Sequence, residues 1–179
     1  GPVHAVLADD LMFRHWTSYE DGRRNHVLLL DVKSKKVVDL TPGPFHAPPV
    51  SLHGHRDFAL SPDGRELCFA SNHDPGTKRA SSTNNDLFVV STDGKGEPRN
   101  LTAANKAWDG SCAYSPDGRT IALRMHRRPG YESDRARLAL LERKTGKLRV
   151  LTEGFDHPVD EFAWLPDAKR ILFAAPVRG

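Results

Sequence analysis

A chain of 179 residues with 38% hydrophobic and 27% charged side chains has the composition of an ordinary globular protein, long enough to bury about 70% of its unfolded surface if it folds as one body. Its net charge of +3 is small and its Lys and Arg are scattered, which argues against a nucleic-acid partner bound by basic stripes with interleaved aromatics. No apolar run approaches the roughly 18 residues of a membrane-spanning helix, so no membrane partner is expected, and two cysteines are too few for a disulfide-stapled scaffold.

In chain order, the first β-rich run is 11–16, followed by a polar segment, a second run at 27–32 and a third that closes on Leu40-Thr41. Apolar residues 58–60 then lead into Ser61-Pro62-Asp63-Gly64-Arg65 and out again at 67–70. Proline presets the backbone at the second turn position, aspartate bonds the backbone two residues on, and glycine takes positive φ, so the stretch is predicted as strand, tight turn, strand. A long polar loop precedes a third run at 87–91. The turn Thr92-Asp93-Gly94 then brings in a fourth run that closes on Leu101-Thr102. The whole unit recurs. Residues 112–114 enter Ser115-Pro116-Asp117-Gly118-Arg119, 121–123 leave it, 138–141 follow, and after Lys144-Thr145-Gly146 the unit closes on Leu151-Thr152. A worn copy of the turn, Leu165-Pro166-Asp167-Ala168-Lys169, sits between 162–164 and 171–174.

The turn copies start at 61, 115 and 165, that is 54 and then 50 residues apart. Four short antiparallel strands in about fifty residues describe one blade of a β-propeller. No stretch has the apolar spacing of three and four that a helical solenoid requires. The chain is therefore expected to be all-β: a partial propeller of WD40-like repeats, with blade one partial (1–41), blades two (57–102) and three (111–152) complete, and blade four partial (159–175). Because a closed ring needs at least four blades, the chain reads as a piece of a larger ring, and Gly1-Pro2 as a scar of tag removal. The end blades are then expected to offer bare edges and apolar faces to the missing blades, or to another copy by self-association. Cys68 and Cys112 fall on neighbouring blades and are expected to be buried free thiols.

Taken together, Leu11-Met12-Phe13-Arg14-His15-Trp16, Asp21-Gly22-Arg23-Arg24, the paired Ser-Pro-Asp-Gly-Arg turns, Ser82-Thr83-Asn84-Asn85-Asp86-Leu87-Phe88, Arg128-Pro129-Gly130-Tyr131-Glu132-Ser133-Asp134-Arg135 and Val159-Asp160-Glu161-Phe162-Ala163-Trp164 resemble the propeller of the prolyl oligopeptidase family of serine peptidases. The nearest branch looks like the acylaminoacyl peptidases and the dipeptidyl peptidase five enzymes. The Ser-Pro-Asp-Gly turn alone is also used by TolB-like propellers, which act as protein-binding platforms, and that is the alternative reading. The resemblance implies a propeller seated over an α/β-hydrolase domain that carries a Ser, Asp and His triad, with the propeller gating access of short peptides and walling the substrate. It leaves the compartment open, with a lean to the periplasm of bacteria. The triad has no counterpart here: Gly-x-Ser-x-Gly does not occur in the 179 residues, so no residue is assigned a catalytic role.

Long irregular loops on a rigid scaffold house recognition, and the segments 17–26, 42–56, 72–85, 127–136 and 153–160 are expected on the face turned to the hydrolase. An exopeptidase must hold a free α-amino group, which carboxylates do by charge-assisted hydrogen bonds. By resemblance to the dipeptidyl peptidases, Glu132, Asp134, Asp160 and Glu161 are the substrate-binding candidates; the competing reading pairs Glu132 and Asp134 with Arg128, Arg135 or Arg137 to brace their loop. Arg14-His15-Trp16 is a candidate for the channel wall, with packing between blades as its rival, and Trp108 and Trp164 are expected in the core or between blades. His53-Gly54-His55, with His46 nearby, lacks a carboxylate or cysteine at fixed spacing, so no metal and no cofactor are expected.

Overall fold

Each Ser-Pro-Asp-Gly-Arg turn closes through the same set of bonds. In the first, the Ser61 hydroxyl donates to Asp63 Oδ1 at 2.6 Å, the Arg65 amide donates to the same oxygen at 3.1 Å, and the Glu66 amide donates back to Ser61 Oγ at 2.9 Å. Ser115, Asp117, Arg119 and Thr120 repeat them at 2.6, 3.1 and 3.0 Å. Gly64 and Gly118 stand at φ of 68° and 69°, where a side chain would be strained. These amide and hydroxyl donors hold the Asp63 and Asp117 carboxyls below the usual aspartate value.

The computed structural model describes residues 17–50 and 57–177, together with residues 3, 5, 7, 8, 11 and 13–15. Around the turns it forms two four-stranded antiparallel sheets. One has the order β5 (Phe58–Leu60), β6 (Glu66–Ser71), β7 (Asp86–Ser91), β8 (Arg99–Asn100); the other runs β9 (Asp109–Tyr114), β10 (Thr120–Met125), β11 (Arg137–Glu142), β12 (Leu148–Val150). Two-stranded hairpins flank them: β3 (Leu28–Leu30) with β4 (Val37–Asp39), and β13 (Glu161–Trp164) with β14 (Ile171–Ala174). The run at 11–16 does not extend the first hairpin; β1 (Arg14–His15) pairs with β2 (Ser18–Tyr19) in a hairpin of its own. A short helix, α1 (Lys78–Ser81), interrupts the loop between β6 and β7.

The Leu-Thr pair that ends each unit also has a structural reason. Thr41, Thr102 and Thr152 are buried, and each hydroxyl accepts an amide at the start of the third strand of its unit: Val27 at 2.9 Å, Leu87 at 3.0 Å and Leu138 at 2.9 Å. The preceding leucine amides donate to the carbonyls of those same residues. From there the chain steps to the next unit by a bond that also recurs: Ala47 to Asn25, Asp109 to Asn85 and Val159 to Ala136, amide to carbonyl.

Side-chain alternation makes the units stack. Leu67, Phe69, Phe88 and Val90 point one way, onto Val27, Leu40 and Ala47. Cys68, Ala70, Leu87 and Val89 point the other way, onto Cys112, Tyr114, Ile121, Leu123, Met125, Ala139 and Leu141. The reverse face of the second sheet, Ala122 and Leu138, meets Val159, Phe162, Trp164 and Ile171. Cys68 and Cys112 are buried free thiols with no disulfide between them, and burial, with the neighbouring Cys112, raises the Cys68 thiol well above its ordinary value. The fold is an all-β array of propeller blades that does not close on itself.

A latch clamps the inner sheets at their turn ends. Glu66 Oε1 accepts both the Tyr114 hydroxyl at 2.7 Å and Arg143 Nη2 at 2.8 Å, and the Arg143 guanidinium lies over the Tyr114 ring.

Candidate functional site

The long loops gather at the opposite ends of the strands, around a cleft of about 640 Å³. The segment 17–26 contributes Glu20 and Arg24, 42–56 contributes His46, and 72–85 contributes Asn72, Arg79 and Asn84. Glu132 reaches it from 127–136, whereas 153–160 supplies no lining residue. Strand ends provide Asp57, Trp108, Ser111, Arg124 and His126.

Two local devices shape its floor. Ser111 takes a φ of 54° and its amide donates to Asp57 Oδ1 at 2.8 Å, so the carboxylate of one sheet fixes an irregularity in the first strand of the next. Beside it Gly110 faces the Trp108 ring, where a Cβ would lie 2.4 Å from a ring carbon; only glycine lets the indole lie there. The Arg124 guanidinium stacks on that indole at 5.3 Å from the ring centre, and His126 packs against the same ring at 5.1 Å. Burial lowers the Arg124 and His126 pKa values, opposed at Arg124 by the charges of Asp57, Asp160 and Glu161.

At the other wall Glu20 is committed. It pairs with Arg24, and His46 Nε2 lies 3.6 Å from it, while His46 Nδ1 accepts the Asn25 amide at 3.2 Å. Desolvation lowers the His46 pKa, against the pull of Glu20.

The four acidic candidates do not converge. Glu132 is exposed on the cleft wall, and among the described residues no hydrogen bond or ion pair holds its carboxylate. Asp134 faces its own loop: Oδ2 accepts the amides of Arg127 at 2.6 Å and Arg128 at 3.0 Å, Oδ1 accepts that of Arg135 at 2.9 Å, and Arg137 lies 3.4 Å away. Burial opposes its ionisation, but these donors outweigh it and hold the carboxyl down at about 2. Asp160 and Glu161 are exposed at the start of β13, outside the cleft lining. The two acidic loops are nonetheless neighbours, tied by Arg135 to the carbonyls of Phe155 and Glu153 and by an Arg127–Glu153 ion pair at 3.1 Å. His53, His55 and Trp16 lie outside the described residues. Among the described residues, no three His, Cys, Asp or Glu side chains are grouped to hold a metal, and no helix is long and apolar enough to cross a membrane.

Over 173 residues, 94% of its length, the chain is 33% identical to dipeptidyl-peptidase 5 of Porphyromonas gingivalis. It is 34% identical over 143 residues to the protein of the same name from Porphyromonas endodontalis, and 28% identical over 192 residues to that of Trichophyton equinum. The chain is a relative of the dipeptidyl peptidase 5 proteins. It spans about a quarter of their length: 25%, 20% and 26% in these cases. No protein-family model matches the chain. Among solved structures it is similar to TolB of Acinetobacter baumannii, with a TM-score of 0.57 at 15% identity, covering 83% of this chain and 31% of TolB. That likeness is one of fold alone.

Within this relative of dipeptidyl peptidase 5, sequence reasoning passed over the cleft floor. Arg124 left one signal, a lone cation in the apolar run Ile121-Ala122-Leu123-Arg124-Met125. Trp108, expected in the core or between blades, lines the cleft; Trp164 does sit between blades, its indole N–H donating to the Ala113 carbonyl at 3.1 Å.

Proposed function

We propose that this chain is the non-catalytic propeller portion of a serine exopeptidase acting on short peptides, serving as gate and as part of the substrate wall. The hydrolase and the remaining blades would be its partners, and the relatives' names favour removal of dipeptides over removal of acylated residues. The supporting observation is Glu132: an uncommitted carboxylate on the wall of a cleft large enough for a short peptide, backed by Asp134, which braces the loop. In this reading Glu132 accepts the substrate's α-ammonium group, Asp134 is a positioning residue, and Asp160 and Glu161 contribute long-range negative charge near Arg124.

The test uses the whole peptidase. Glu132→Gln should raise KM for free-amine dipeptide substrates by about tenfold or more, the loss of one charge-assisted hydrogen bond, and leave amine-blocked substrates near the wild-type value. Equal effects on both substrate types would remove the anchor. A propeller serving only as a protein-binding scaffold, as TolB-like platforms do, would show no change with either.

A further inference from the structure

Behind Trp108, at the seam between the two inner sheets, three buried acceptor atoms have no hydrogen-bond partner: Asn84 Oδ1, Asp86 Oδ1 and Asp109 Oδ2. Asp109 is 0% exposed, and Asn84 and Asp86 are each 7% exposed. The backbone puts the three on one side. Asn85 and Trp108 pair in a parallel bridge, and the Asp109 amide donates to the Asn85 carbonyl at 2.9 Å. Side chains alternate along extended chain, so Asn84, Asp86 and Asp109 share the side opposite to Asn85 and Trp108.

Each carboxylate is held by one oxygen and open at the other. Asn100 Nδ2 donates to Asp86 Oδ2 at 2.7 Å, and Asn105 Nδ2 donates to Asp109 Oδ1 at 2.8 Å. Both anchors are neutral amides, and the neutral Thr102 hydroxyl also supports the Asp109 carboxyl. Neither carboxylate has a Lys or Arg ion pair among the described residues. His73, which feels the Asp86 charge, is clamped between the Phe45 and Phe88 rings at 4.0 and 4.2 Å, and burial favours its neutral form. Asp86 and Asp109 thus lie in the interior with no cation beside them, and burial, with the Asp86 charge adding to it, pushes the Asp109 carboxyl up to about 7, so the two are charged together only at a cost. A water molecule supplies hydrogens and leaves the charge; one proton neutralises one carboxylate and leaves the Asn84 oxygen unmet. A divalent cation answers all three atoms and both charges.

We infer that Asn84, Asp86 and Asp109 form a site for a hard divalent cation of the calcium class, seated between the two inner sheets. The donor set is oxygen only, which suits calcium rather than zinc or copper. Asn84 also lines the cleft, which gives the ion its way in. The inference is independent of the peptidase reading, since it concerns how two sheets are joined.

Terbium, a luminescent substitute for calcium, tests it in the whole chain, with Trp108 as the light-harvesting neighbour. The expected result is saturable tryptophan-sensitised emission that calcium displaces, together with a melting temperature that rises with calcium. Asp86→Asn and Asp109→Asn should each weaken the emission titration by about tenfold or more, because affinity follows ligand charge, and should abolish the calcium-dependent rise. Asp93→Asn, which alters an exposed turn carboxylate, should change neither. Circular dichroism of the variants separates lost binding from lost folding, and the calcium-dependent melt of the unmodified chain remains decisive if a variant fails to fold. Absence of saturable emission, emission unchanged in both Asp variants, or a melt indifferent to calcium would each overturn the site.

Discussion

The inner sheets and the flanking hairpins are written in the same repeat, but burial treats them differently. In β6 and β10 alternate residues enter opposite cores, so both faces are covered. In β3 the three leucines Leu28, Leu29 and Leu30 are all exposed, and in β14 Leu172 and Phe173 are exposed while only Ile171 packs inward. The turn and the pairing are local and form wherever the motif is present. Burial is a property of having a neighbour, and among the described residues the hairpins have one on a single side.

Removing the same side chain from an inner sheet and from a flanking hairpin tests this difference in burial directly. Leu123 is 0% exposed in the core between the inner sheets, and Leu172 on β14 is 67% exposed. Leu123→Ala should cost about 3 kcal/mol in a urea melt, the usual loss of transfer energy plus a residual cavity. Leu172→Ala should stay within about 0.5 kcal/mol. A similar cost at both positions would mean that the β14 face is covered in solution, by another copy of the chain or by further blades.

A polar pair extends the contrast to the loops. Asp134, on the loop between β10 and β11, is 6% exposed at its side chain and holds three amides, whereas Asp31 in the β3–β4 turn binds Ser34 in full view of solvent. The Asp134 carboxyl is held at about 2, below its ordinary 3.8. A carboxyl depressed in the folded state contributes stability that is complete above the unfolded value and is lost as pH falls through the folded one. Asp134→Asn should therefore cost about 2 kcal/mol at neutral pH, with the gap to wild type closing as the pH is lowered toward about 2. Asp31→Asn should show a smaller effect in the same titration. A gap at Asp134 that does not narrow in acid would assign its role to shape and not to charge.

The same division marks what could be read from the chain alone. The Ser-Pro-Asp-Gly-Arg turns, the four-strand period and the closing Leu-Thr pairs were legible because each is fixed by bonds within a few residues or within one hairpin. The cleft was legible only in part. Four of the five long loops expected around it supply lining residues, and Glu132, a candidate by resemblance, lies on its wall, but Arg124 and Trp108 meet through a strand irregularity that Asp57 of the neighbouring sheet imposes. Such cross-sheet contacts leave no local signature. The pairing of Arg14–His15 with Ser18–Tyr19 was missed for a related reason: a short apolar run does not say which strand it will join.

A finer difference between inner and outer units lies in the turn itself. In the two inner copies a serine hydroxyl and a glycine complete the bond set, while the outer copy has Leu165 and Ala168 in their places. Asp167 still accepts the Lys169 amide at 2.9 Å and the Ala168 amide still reaches the Leu165 carbonyl at 3.1 Å, so the turn keeps its shape. It does so with Ala168 at a φ of 55°, where a Cβ crowds the backbone at a cost of about 1 kcal/mol. Ala168→Gly should relieve that strain and raise stability by up to about 1 kcal/mol, less the extra freedom glycine gives the unfolded chain. Gly118→Ala at φ 69° should lose about as much, since it installs in an inner turn the strain the outer one carries. If both substitutions proved neutral in paired melts, positive φ would not be what separates the intact copies from the worn one, and the missing serine hydroxyl at Leu165 would be left to account for the difference.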